Sequence, residues 1–191
     1  DIPPTVVANS CPAGKYCPQA TTLPISCPAG TYNPVTGAGY LSNCTICPAG
    51  SYCVLGSISI TGTCNPGYYC PAGSTGPTQV PCDPATYRSI SGGMNASSCG
   101  ACPTGFYCIS GTATPVVCPR GSYCLESTVT PIPCPKGTYG NSTGLKQVTD
   151  CNDCDAGSFC DSTGLVQPTG PCDPGFYCTG KSISSAPLFG L

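Results

Sequence analysis

The chain has 191 residues, with 20 cysteines, 25 glycines, 23 prolines and no histidine or tryptophan. The lack of histidine excludes Ser-His and Cys-His catalysis and most catalytic zinc sites. The six Lys and Arg residues are scattered, so no basic stripe is available for nucleic acid or an anionic membrane. No apolar run approaches the roughly 18 residues of a membrane span. We therefore expect no enzymatic activity, no nucleic-acid partner and no direct membrane insertion.

The cysteine content predicts a small disulfide-rich fold in an oxidising compartment. Only four phenylalanines are available for a core, and the backbone entropy lost on folding is roughly 1–2 kcal/mol per residue. Burial of so few apolar side chains does not offset that loss, so covalent cross-links must contribute. This indicates a secreted or cell-surface, extracellular protein that needs no cofactor and no metal.

Repeating units account for every cysteine. Each unit opens with a version of Cys-Pro-x-Gly-x-Tyr, in which proline and glycine favour a tight turn. Seven units are short, with five residues between their cysteines: Cys11/Cys17, Cys47/Cys53, Cys64/Cys70, Cys102/Cys108, Cys118/Cys124, Cys154/Cys160 and Cys172/Cys178. Three are long, with 16 intervening residues: Cys27/Cys44, Cys82/Cys99 and Cys134/Cys151.

The units follow the order long, short, short, which predicts four segments. An N-terminal arm and half module spans residues 1–26, and cysteine-rich modules span 27–81, 82–133 and 134–191, the last with a C-terminal tail. Alternating apolar and hydroxyl residues at 57–61 and 128–132 predict short two-stranded ribbons. Glycine and proline interrupt every helical pattern, so almost no helix is expected. The architecture predicted is an elongated solenoid-like rod in which each unit touches mainly its neighbours.

An aromatic residue stands five positions after the opening cysteine in all ten units, from Tyr16 to Tyr177. We interpret these rings as small cores, each lying against a disulfide. A ligand-binding aromatic box is the alternative, although the even distribution along the chain disfavours it.

The super-repeat resembles the cysteine-rich modules of tumour-necrosis-factor receptors and the Eph-receptor-like cysteine-rich repeats, which also occur in protist surface and appendage proteins. The resemblance spans about residues 11–178. It rests on the opening motifs at Cys27 and Cys134, on the C-x2-C junctions and on six cysteines per module.

The resemblance implies that cysteines pair one-to-two, three-to-five and four-to-six within each module. The implied bridges are Cys27–Cys44, Cys47–Cys64, Cys53–Cys70, Cys82–Cys99, Cys102–Cys118, Cys108–Cys124, Cys134–Cys151, Cys154–Cys172 and Cys160–Cys178. Receptor modules hold their third and fourth cysteines closer than the C-x5-C spacing found here. Closure within each short unit therefore stays open, because connectivity is not deducible from sequence. Cys11 and Cys17 either pair with each other or are completed by another segment or subunit.

Three N-glycosylation sequons begin at Asn43, Asn95 and Asn141, all in long units. They predict covalent glycans on one class of loop, which would solubilise a surface with few charges. The C-x2-C pairs also suggest a metal site or a thiol-redox site, but their place in a periodic cysteine pattern favours disulfides. The acidic tract at residues 150–155, with Asp161, suggests a calcium site, but it lacks the features of an EF-hand loop.

Two functions compete on these observations. The first is a glycosylated structural protomer that assembles with copies of itself, head to tail, into a fibre or surface coat. It is favoured by the half module at the start, the extended arm at residues 1–10 and the apolar tail at 187–189. The alternative is an ectodomain fragment of a receptor or adhesin that binds a protein ligand, although clustered Arg or Trp anchors are missing.

Overall fold

The computed structural model describes residues 9–187, and these form short antiparallel ribbons with almost no helix. Most of the predicted arm and the residues beyond Pro187 lie outside the described residues. Three 3-10 turns, Leu41–Asn43, Ala96–Ser98 and Val148–Asp150, each precede the second cysteine of a long unit.

Nine two-stranded antiparallel sheets are each built from two-residue strands. In chain order the pairs are Lys15–Tyr16 with Ile25–Ser26, Thr31–Tyr32 with Thr45–Ile46, Ser51–Tyr52 with Gly62–Thr63, Tyr68–Tyr69 with Val80–Pro81, Thr86–Tyr87 with Gly100–Ala101, Phe106–Tyr107 with Val116–Val117, Ser122–Tyr123 with Ile132–Pro133, Thr138–Tyr139 with Asn152–Asp153 and Ser158–Phe159 with Gly170–Pro171.

All nine ribbons share one plan. We count positions within a unit from its opening cysteine, so that the glycine is at +3, the aromatic at +5 and the closing cysteine of a short unit at +6. The +3 glycines have φ between 75° and 92°, and Ala85 takes the same conformation with φ of 72°. This left-handed residue reverses the chain, and residues +4 and +5 then pair with the two residues before the next opening cysteine. The strands predicted at 57–61 and 128–132 are therefore displaced, and only Ile132 of those residues is in a ribbon.

All 20 cysteines are paired in ten bridges. Each long unit joins its own two cysteines, giving Cys27–Cys44, Cys82–Cys99 and Cys134–Cys151. Each short unit also closes on itself, giving Cys11–Cys17, Cys47–Cys53, Cys64–Cys70, Cys102–Cys108, Cys118–Cys124, Cys154–Cys160 and Cys172–Cys178.

This connectivity corrects the crosswise pairing that the receptor resemblance implied. The six bridges absent from the structure are Cys47–Cys64, Cys53–Cys70, Cys102–Cys118, Cys108–Cys124, Cys154–Cys172 and Cys160–Cys178. The reason is local, because the +3 turn brings the two cysteines of a short unit to a Cα separation of 5.7 to 6.1 Å, which suits a disulfide. Cys11 and Cys17 close in the same way within one chain.

Disulfides form the core. The buried apolar residues of the described chain are cysteines and Ala38, and the largest fully buried side chain is Asn33. The +5 aromatics are half-buried in nine units, and Tyr177 of the last unit is 63% exposed. The prediction that the rings form small cores is therefore wrong. The rings lie over the ribbons, as Tyr52 lies over Gly62, and the disulfides fill the interior.

The chain divides into two compact units. One comprises Asp1–Cys82 with Arg88–Cys99, and the other Asp83–Tyr87 with Gly100–Leu191. Both contain cysteine turns of the same plan.

Candidate interaction surface: the backbone ladder and its ends

Two backbone hydrogen bonds join the +3 residue of each unit to the next unit. The amide of Gly50 donates to the carbonyl of Cys70 at 2.8 Å, and the amide of Cys64 donates to the carbonyl of Gly50 at 3.0 Å. The +3 residue thus donates to position +6 of the next unit and accepts from its opening cysteine. Ala85 makes both bonds, at 2.9 and 2.8 Å, so this pairing does not require glycine.

A second pair of bonds involves a turn that follows position +6, which we call the second turn; in the unit that opens at Cys64 it spans residues 71–74. The amide of Cys53 donates to the carbonyl of Ser74 at 3.1 Å, and the amide of Gly73 donates to the carbonyl of Cys47 at 2.8 Å. All four bonds recur at eight junctions, those entering the units that open at Cys27, Cys47, Cys64, Cys82, Cys118, Cys134, Cys154 and Cys172.

The second turn has a signal in the sequence, which the spacing of the cysteines alone does not reveal. Its donor residue has positive φ, as at Gly56 with 70° and Ser127 with 60°. The next residue in most short units is Ser or Thr, whose hydroxyl donates to the carbonyl three positions earlier. The bonds run from Ser57 to Val54, Ser74 to Pro71, Thr112 to Ile109, Thr128 to Leu125 and Ser182 to Thr179, at 2.6 to 2.8 Å. A Ser or Thr four residues after the closing cysteine marks this turn, so segments 54–63 and 109–117 are only partly free to vary.

Contacts also extend to the next unit but one. A Cβ atom built on Gly105 would lie 2.7 Å from the carbonyl oxygen of Gly144, which belongs to the second turn two units later. A Cβ on Gly137 would meet the carbonyl of Lys181 at the same distance. This separation is far below a normal carbon–oxygen contact, so at these two positions a side chain is excluded sterically, in addition to the conformational cost of a positive φ. The units therefore touch beyond the nearest neighbours that the sequence predicted.

The unit that opens at Cys172 is not followed by another unit within the described residues. Within residues 9–187, four of its backbone groups have no backbone partner: the amide and carbonyl of Gly175, the carbonyl of Cys172 and the amide of Cys178. Gly157 and Gly175 are exposed, whereas the equivalent glycines of the earlier units are buried. A Cβ on Gly157 would meet nothing within 4 Å.

The unit that opens at Cys11 is not preceded by another unit within the described residues. The amides of Cys11 and Ala20 and the carbonyls of Cys17 and Thr21 make no backbone hydrogen bond in the described part of the chain. Ala20 has φ of 62° and occupies the same place as Gly73 and Ser127 in their second turns. In later units, such as the one that opens at Cys64, the corresponding groups bond to the preceding unit.

The three sequon asparagines are exposed but lie at three different places in their units. Asn43 is at +16, where its side-chain oxygen accepts from the Tyr40 amide at 2.9 Å. Asn95 is at +13 and accepts from the hydroxyl of Ser97, its own sequon residue, at 2.6 Å. Asn141 is at +7 and accepts from the side-chain amide of Asn152 at 3.0 Å. All three lie between the two bridged cysteines of a long unit, as the sequence predicts, although at positions that do not repeat, and their glycosylation stays a prediction.

The acidic tract disperses over separate partners. Asp153 forms an exposed ion pair with Lys181 at 3.2 Å, and Asp155 accepts from the Tyr139 hydroxyl at 3.3 Å. The pKa of Tyr139 is raised by partial desolvation and by the neighbouring charge and hydrogen bond of Asp155. Within residues 9–187, no group of three or more acidic or cysteine side chains is placed to hold a metal ion.

Two other carboxylates of this region serve as local hydrogen-bond acceptors. Asp150 accepts the Lys146 amide at 2.7 Å and the Gln147 amide at 3.2 Å, and these bonds lower its pKa. The pKa of Asp161 is lowered by hydrogen bonds from the hydroxyls of Thr169 and Ser162. Asp150 therefore fixes the chain that enters the 3-10 turn Val148–Asp150, and Asp161 links to Thr169 eight residues later.

The C-x2-C pairs contain no thiol pair that redox or zinc chemistry would use. Cys44 and Cys47 belong to different bridges, as do the corresponding cysteines of the other two pairs. Each pair instead marks the connection from a long unit to a short one.

The described surface is rich in exposed aliphatic side chains, including Leu55, Ile46 and Ile90, each more than 60% exposed. Among residues 9–187, no helix has the length and apolar character needed to cross a bilayer. The sequence matches no protein-family model and no curated protein.

Proposed function

We propose that this protein is a non-enzymatic extracellular structural element, a protomer that assembles head to tail into a fibre or surface coat. The observation that supports this proposal best is the repeated ladder. One set of four backbone bonds joins consecutive units at eight junctions within the described residues, so units of different sequence stack through the same contact. An open interface of this heterologous kind propagates into filaments when its rotation does not close a ring.

The disulfide content supports an extracellular location. Ten bridges in 191 residues are typical of an oxidising environment, and the cytosol would keep such cysteines reduced. A fold whose interior is sulfur also suits a structural role outside cells, because local covalent closure of each unit limits unfolding of the chain.

Glycans form part of the proposal. Only 14 of 191 residues carry a formal charge, counted as six basic and eight acidic side chains, and many aliphatic side chains are exposed. Such a surface associates non-specifically unless it is solvated. N-linked glycans at Asn43, Asn95 and Asn141 would supply that solvation, because all three asparagines are exposed.

Electron microscopy of natively purified protein tests the structural role. We expect filaments or ordered sheets, and enzymatic deglycosylation should lower the mass of the subunit. Particles that stay single under all conditions and bind a protein ligand would contradict the proposal and support a receptor or adhesin ectodomain. An unchanged mass after deglycosylation would remove the glycans from it.

A further inference from the structure

We infer that the folded chain can carry a glycan at Asn43 but cannot receive one there, so that this sequon is modified only before the Cys27–Cys44 bridge closes. This inference rests on the proposed glycosylation and specifies when each site is open to the modifying enzyme. Asn43 belongs to an early step that disulfide formation ends, whereas Asn95 and Asn141 stay accessible after folding.

Transfer of an N-linked glycan requires a short stretch of chain to enter an active site. The asparagine Nδ2 atom bonds to the anomeric carbon of the donor sugar, and the bond from that carbon to a lipid pyrophosphate breaks. The pyrophosphate leaves with the electron pair, and the nitrogen loses a proton. The enzyme also binds the Ser or Thr hydroxyl of the sequon, so both side chains must reach it together. A sequon held by buried or cross-linked neighbours must therefore open first.

The first sequon is held at each of its residues. The Asn43 amide donates to the Tyr40 carbonyl at 3.0 Å. Cys44 is 8% exposed and is bridged to Cys27, which is fully buried. Thr45 lies in the second strand of a ribbon. Bringing this sequon into an active site thus requires the ribbon to break and a buried, covalently tethered residue to move outward.

The other two sequons lack these restraints. Residues 95–97 are all exposed, and the Ser97 hydroxyl already donates to the Asn95 side-chain oxygen at 2.6 Å. Residues 141–143 are also exposed, and in the described part of the chain none of them makes a backbone–backbone hydrogen bond. Both sequons lie between bridged cysteines but contain no cysteine themselves. Neither bridge therefore has to move when these sites are modified.

The fold nevertheless accepts a glycan that is already attached to Asn43. The side-chain oxygen of Asn43 accepts from the Tyr40 amide at 2.9 Å, and within residues 9–187 no hydrogen bond engages its Nδ2 atom. Position +16 of the other long units carries Ser98 and Asp150, whose oxygens also accept the amide of the residue before the 3-10 turn. The oxygen at +16 thus serves the fold, and a glycan on Nδ2 leaves it in place.

Transfer to the full chain in vitro tests the inference. The chain is produced without glycans and incubated with oligosaccharyltransferase and a sugar linked to a lipid pyrophosphate, either folded with its bridges intact or kept reduced. Mass spectrometry of its peptides measures the modified fraction at each asparagine. We expect the folded chain to be modified at Asn95 and Asn141 but not at Asn43, and the reduced chain to be modified at all three.

Two serine variants isolate the effect of the bridge. Cys27→Ser releases Cys44 and leaves the sequon itself unchanged. Cys134→Ser is the matched control, because it opens the same kind of bridge in a long unit whose sequon contains no cysteine. With the remaining bridges formed, we expect Cys27→Ser to raise the modified fraction at Asn43 to that at Asn95, and Cys134→Ser to leave the fraction at Asn141 unchanged.

Three results would overturn the inference. If the folded, unsubstituted chain is modified at Asn43 as quickly as at Asn141, the bridge does not exclude the enzyme, and the inference fails while the glycans remain. If the reduced chain stays unmodified at Asn43 but not at Asn141, the bridge is not the cause of the exclusion. If natively purified protein carries no glycan at any sequon, both the inference and the proposed glycosylation fail.

Discussion

Replacing Gly105 by alanine measures how much the contact between next-but-one units stabilises the fold. The added Cβ would lie 2.7 Å from the carbonyl oxygen of Gly144 and 3.3 Å from Cγ of Lys146. A favourable carbon–oxygen contact is about 3.3–3.6 Å, so the two backbones must separate by more than half an ångström. Overpacking of this kind typically costs about 1–3 kcal/mol. The left-handed conformation, with φ of 81°, adds about 1–2 kcal/mol for a residue with a side chain.

We therefore expect Gly105→Ala to lower the free energy of unfolding by about 2–5 kcal/mol, the sum of those two costs. The matched variant Gly92→Ala carries the conformational cost alone, about 1–2 kcal/mol. Denaturation with the disulfides intact, followed by tyrosine fluorescence because the chain has 11 tyrosines and no tryptophan, would compare them. Equal losses in the two variants would refute the steric reasoning, since the overlap at Gly144 would then contribute nothing.

Two further predictions concern the bridges and the acidic turn. Peptide mapping without reduction should find Cys47 linked to Cys53, and a link from Cys47 to Cys64 would contradict local closure. Because hydrogen bonds lower the pKa of Asp150 below its ordinary value of 3.8, its contribution to stability is present above that value and is lost as pH falls through the lower folded pKa. An NMR titration of the Lys146 and Gln147 amides should show this transition below pH 3.8, and Asp150→Asn should abolish it. A transition at or above 3.8 would show that the hydrogen bonds do not hold the carboxylate.

Much of the local architecture could be predicted from the sequence. The spacing of cysteine, proline, glycine and tyrosine defined the ten units, and the density of glycine and proline predicted a chain with almost no helix. The pairing of the cysteines was harder to predict. Cys47 has both Cys53 and Cys64 within reach along the chain, and the spacing alone does not show which of them it pairs with. The left-handed Gly50 between Cys47 and Cys53 decides the outcome in the structure by reversing the chain.

The ladder itself could not be predicted, because it is made of backbone groups. Any residue offers an amide and a carbonyl, so Gly50 and Cys70 give no compositional sign of the bond between them. The Ser or Thr that stands four residues after the closing cysteine of most short units was the available signal, and Ser57 and Thr128 are examples of it. The aromatic residues led to a wrong prediction of the core. A tyrosine in every unit suggests a core of rings, but the compact disulfides occupy the interior.

Hydrogen exchange tests the central claim most directly, namely that one set of four backbone bonds joins consecutive units along the chain. The amides to follow at one junction are those of Cys64, Gly73, Gly50 and Cys53. We expect these four amides to be protected and to exchange at similar rates, because all four bonds belong to the same junction. Exchange of these amides at the rate of an unstructured peptide would contradict the account.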